Sequence, residues 1–135
     1  MSELDALVNE RSAAYREKYS YENQLMAVGD KIQRLQYAVK QVDGVKDGLV
    51  AMSTRTINLA TVENWKGNKF TEYQTEISEL SSAILSYGLE VDRIHDDMNL
   101  ELARLQNEES NLQGLIGSLA SRINVLCARI ENFFN

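Results

Sequence analysis

The chain contains no proline. Globular domains average about 5% proline, used largely at turns, so its absence points to very few turns. There is one cysteine, Cys127, which excludes an intrachain disulfide and a cysteine-cluster zinc site. Such sparing use of cysteine fits cytosolic synthesis, or export by a route that needs no disulfides. The single histidine, His95, cannot supply the histidine set of a catalytic or metal centre. Basic residues are in deficit as well. Fourteen Lys and Arg stand against 20 Asp and Glu, giving a net charge of −6 and a pI of about 4.8. Nucleic acid and anionic membrane surfaces attract basic patches and are poor partners for such a chain. No apolar run approaches the ~18 residues of a membrane span. The charged opening Met-Ser-Glu-Leu-Asp-Ala does not read as a signal peptide. Glycine-rich phosphate loops and nucleophile elbows are missing too, so no enzyme is expected and no cofactor is implied.

What is present is a long helical pattern. From Tyr21 the apolar residues run Leu25, Val28, Ile32, Leu35, Val39, Val42 at alternating spacings of three and four. Backwards the series meets Ala14, Leu7 and Leu4, but also Arg11 and Lys18; forwards it continues less regularly through Val45, Leu49 and Met52. This is a seam on one helix face, as in a coiled coil. Gly44 and Gly48 interrupt it. Each costs ~1 kcal/mol in a helix interior, so a bend, a weak point or a short break is expected at Gly44–Gly48. A second seam reads Phe70, Tyr73, Ile77, Leu80, Ile84, Tyr87, Val91, Ile94, Met98. It then slips round the helix to Leu102 and Leu105, and resumes as Leu112, Leu115, Leu119, Ile123, Leu126, Ile130, Phe133.

Between the seams stands Asn64-Trp65-Lys66-Gly67-Asn68, with the only tryptophan. Gly67 can take the left-handed conformation that ends a helix. Trp65 can lay a large ring across two crossing helices, and Asn68 can cap the first amides of the next one. The expectation is an all-α fold. It is a single domain over residues 1–135, an elongated antiparallel helical hairpin of coiled-coil type. Arm one covers about 2–64, a Trp-x-Gly turn covers 65–68, and arm two covers about 68–133.

A central Trp-x-Gly between two long helices, in a small acidic chain without proline, resembles the WXG (ESAT-6-like) superfamily of type VII secretion proteins. Trp65, Gly67, Phe70 and Tyr73 sit as in its YwqH-like branch, the helical proteins that accompany LXG polymorphic toxins. The resemblance implies a partner that binds the N-terminal helical LXG region of a toxin and helps target it to type VII secretion. A second small WXG-like protein is a further implied partner. It also implies a hetero-oligomer, and a cytoplasmic protein open to co-secretion. One feature departs from the pattern: no Tyr or Phe after the turn has an acid four residues on. The export signal is therefore expected on another subunit, or formed jointly.

Two further clusters bear on function. Glu90, Asp92, Asp96, Asp97 and Glu101 surround His95, and Asp92-x-x-His95 has the spacing of some helix-bundle metal sites. Such sites need a second motif, so a solvated acidic face is expected instead. Tyr15 and Tyr19 lie off the main seam, and Leu126, Ile130 and Phe133 form an apolar C-terminal stretch. Large aromatic and apolar side chains of this kind suit a binding surface. The partner interface is therefore expected at Tyr15, Tyr19, Leu115, Leu119, Ile123, Leu126, Ile130 and Phe133. The rival reading is a self-associating coiled-coil scaffold.

Overall fold

The computed structural model describes residues 2–60 and 68–135. Helix α1 runs from Glu3 to Ala60 and helix α2 from Asn68 to Asn132. They pack against each other as a hairpin, and 97% of the described residues are helical, with no strand among them. The N-terminus of α1 is closed by a reciprocal capping box. The Ser2 hydroxyl accepts from the Asp5 amide at 3.2 Å, and the Asp5 carboxylate accepts from the Ser2 nitrogen at 3.5 Å. Two of the amides that a helix start leaves unpartnered are satisfied in this way.

The expected break at Gly44–Gly48 does not occur. Helix α1 passes through both glycines without interruption. A propensity penalty of ~1 kcal/mol per glycine is too small to open a helix that is anchored by packing on either side. A Cβ added at Gly44 or Gly48 would meet nothing within 4 Å. Gly44→Ala and Gly48→Ala are therefore each expected to stabilise the protein by about 1 kcal/mol, which a urea melt would read as a raised midpoint.

The chain divides into two compact units. The first comprises Met1–Arg34 and Leu102–Asn135. Its helices are antiparallel: Leu7 packs on Leu126 and Ile130, and Ala14 on Leu119 and Ile123. Ten apolar side chains are buried here, from Leu7 at one end to Leu105 at the other. An ion pair between Glu10 and Arg122 at 2.7 Å edges this core, and the Arg11 guanidinium donates to the Cys127 sulfur at 3.8 Å.

The second unit comprises Leu35–Glu101. Two cross-helix pairs join its helices, Asp43 with His95 at 2.9 Å and Lys46 with Asp92 at 3.1 Å. Among its described residues only two apolar side chains, Ile77 and Val91, are buried. Thr56 is buried as well, and its hydroxyl is satisfied by donating to the Met52 carbonyl at 2.8 Å.

The seam differs from the sequence reading in its phase. On α1 the inward positions after Val42 are Lys46, Leu49, Ser53 and Thr56, while Val45 and Met52 are exposed. On α2 they are Ile77, Ile84, Gly88, Val91, His95 and Met98, while Leu80, Tyr87 and Ile94 are exposed. The slip expected at Leu102 and Leu105 is absent. The series continues Leu102, Leu105, Glu109, Leu112, Ile116, Leu119 in an unbroken heptad, and Leu115 faces outward. The physical reason is continuity. A helix without a break cannot rotate its face to follow a local run of apolar residues, so the phase set at Leu7 and Ala14 is inherited along α1.

Candidate partner interface

In the second unit the apolar residues that miss the seam are ordered. Val45, Met52 and Leu59 on α1 recur every seven residues, and so do Leu80, Tyr87 and Ile94 on α2. Each stands one residue before a seam position, so each row edges the seam. In an antiparallel pair the two such rows fall on the same side. Their side chains remain between 44% and 54% exposed. Together they form one apolar face with no covering element among the described residues.

The opposite side of the same seam is a groove of about 320 Å³. Leu49, Ser53, Ser81, Ile84 and Gly88 floor it, and Val50, Leu85 and Leu89 rise beside it. The small residues Ser53, Ser81 and Gly88 leave the floor low. One end of the groove is polar, where Lys46 meets Asp92. The hydrogen bond to Asp92 holds the Lys46 ammonium above its ordinary value, and the charges of Asp92, Asp43 and Asp96 reinforce it against desolvation. Beside this pair, His95 Nε2 lies 2.9 Å from an Asp43 carboxylate oxygen, and Nδ1 lies 3.3 Å from the Asn99 side-chain nitrogen. Among the described residues, no group of three or more His, Cys, Asp and Glu could hold a metal ion.

The residues expected to form the interface divide into two sets. Leu119, Ile123, Leu126 and Ile130 are 3–8% exposed and spent on the core of the first unit, so their side chains offer a partner almost nothing. Tyr15, Tyr19, Leu115 and Phe133 are exposed. Phe133 borders a shallow hollow with Glu3, Leu7, Arg129 and Asn132. Of the turn motif, Trp65 and Gly67 lie outside the described residues, and Asn68 is the first residue of α2. Apolar periodicity alone counts Val45, Met52, Leu80, Tyr87 and Ile94 as seam residues, which hides the rows they form, and Leu59 falls outside that series.

The YwqH-like family matches residues 9–128. The chain belongs to the YwqH-like family. The match covers nearly all of α1 and α2, so membership describes the hairpin as a whole and not one segment of it. No curated protein and no solved structure matches the chain. Among the described residues, no helix of this YwqH-like chain is long and apolar enough to cross a membrane.

Proposed function

We propose that the protein is a non-enzymatic helical partner of an LXG-type toxin. It binds the toxin's N-terminal helical region and helps target it to type VII secretion, acting as a cytoplasmic targeting factor or chaperone within a hetero-oligomer. The family and the hairpin fold are compatible with a helical partner or a scaffold. The observation that carries the partner reading is the imbalance of the second unit. Among described residues it exposes twelve large apolar side chains and buries two, against seven and ten in the first unit. Six of the twelve share one face, and monomeric proteins rarely leave large contiguous apolar patches to water. A helix laid on the face formed by Val45, Met52, Leu59, Leu80, Tyr87 and Ile94 would remove it from solvent, in the manner of helix-in-groove recognition.

The scaffold reading draws on the unbroken heptad. It would need second units to meet one another. Residues 35–101 hold eleven Asp and Glu against six Lys and Arg, a net charge of −5. Like charges brought together oppose such pairing. The test is co-expression with the helical region of an LXG toxin. The expected result is a defined hetero-oligomer by sedimentation, with the protein alone remaining monomeric. Stable homo-oligomers that ignore the toxin region would remove this reading in favour of the scaffold.

A further inference from the structure

The groove over Ser53, Ser81 and Gly88 lies on the side of the seam away from the exposed rows, so a helix docked on those rows would leave it open. Gly88 is its most telling residue. Glycine is the poorest helix former after proline, yet a Cβ at Gly88 would meet nothing within 4 Å. The hairpin's own packing therefore gives no reason for its small size. The groove is apolar along Leu49, Val50, Ile84, Leu85 and Leu89. One to two turns from Gly88 it becomes acidic, where Asp43, Asp92 and Asp96 act on Lys46.

We propose that this groove docks a helix of another protein that carries an apolar stripe and, one to two turns along, Lys or Arg residues. Charge complementarity selects this occupant. Three aspartates around one lysine leave negative charge at the groove's end, and the unit as a whole stands at −5. A second copy of the chain would bring the same aspartates to the same place. The docked helix lays a large apolar side chain over Gly88, between Leu85 and Leu89, and its basic residues meet Asp92 and Asp96. The site is independent of the toxin reading, because it concerns a different face and a different probe.

The experiment uses the full chain and two synthetic helical peptides with the same leucine stripe. One carries Lys and Arg one to two turns from the stripe, and the other carries Glu there. The basic peptide is expected to bind about tenfold or more tightly than the acidic one at low salt, with the preference shrinking as salt is raised. Gly88→Leu fills the groove and is expected to abolish binding while keeping or raising the melting temperature. Ser81→Leu is the second variant, should Gly88→Leu fail to fold. Asp96→Lys is expected to remove the preference between peptides. Equal binding of the two peptides overturns the proposal, as does unchanged binding by a folded groove-filling variant. So does a homodimer of the chain alone that Gly88→Leu dissolves, since the occupant would then be a second copy. Failure of the toxin region to bind leaves this outcome separate and bears on the toxin reading alone.

Discussion

Leu126→Ala is expected to destabilise the hairpin by about 2–5 kcal/mol, the range for emptying a buried leucine site. Leu126 is 3% exposed and packs with Leu7 and Ile130. Its loss opens a cavity that two continuous helices, held by their neighbours, cannot readily collapse. Ile84→Ala, at a half-buried position over the groove of the second unit, is expected to cost less than half as much, because solvent already reaches that side chain. Urea melts of the two variants give the comparison directly. Hydrogen exchange should show the same ordering in the unmodified protein, with amides of the first unit protected longest. Equal losses for the two substitutions would mean that the second unit is packed as tightly as the first.

If the proposed partner docks on the exposed apolar rows, a charge there is expected to act in the opposite sense, leaving the fold intact and removing the partner. Tyr87 and Met52 are 54% and 46% exposed in the free chain, so Tyr87→Asp and Met52→Asp place a carboxylate in water until a partner arrives. Docking would then bury that carboxylate in an apolar contact at a cost of several kcal/mol. A loss of ~4 kcal/mol weakens a complex about a thousandfold. Co-purification with the toxin's helical region, beside a melt of each free variant, measures both halves of the expectation. Ser86→Asp, on the exposed back of α2, should bind as the unmodified protein does. Ile130→Asp makes a poor probe of binding, because Ile130 is 7% exposed within the first unit's core and the charge would unfold that core first.

The all-α hairpin was legible from the missing proline and the two 3,4 series. The meeting of Leu126 and Ile130 with Leu7 follows from the same reading, because arms of similar length bring their far ends together. The phase of the seam in the second unit was not. Apolar character favours Val45 over Lys46, Met52 over Ser53, Tyr87 over Gly88 and Ile94 over His95. Reading inward residues by hydrophobicity alone turns each of those positions by one residue, or about 100° on a helix. The signal that would have corrected it was already present in the heptad that runs without fault from Tyr21 to Val42. Carried forward strictly, that spacing lands on Lys46, Leu49, Ser53 and Thr56 and leaves the apolar rows outside. The interface residues expected at Leu119–Ile130 illustrate the same limit. An apolar stripe announces that something will cover it, but not whether the cover is the chain's own other arm.

The pairing of Leu7 with Leu126 and Ile130 also sets an order of events during translation. Leu7 emerges from the ribosome early and must wait for more than a hundred further residues before its neighbours exist. Contacts so distant along the chain carry a large closure entropy and form late. Within the hairpin, the better-packed unit is therefore the last to be completed. Until then the nascent α1 presents Leu7, Ala14, Val28 and Ile32 unpaired, open to chaperones and to any other helix being made nearby. A partner synthesised alongside would meet that open face before α2 could close on it.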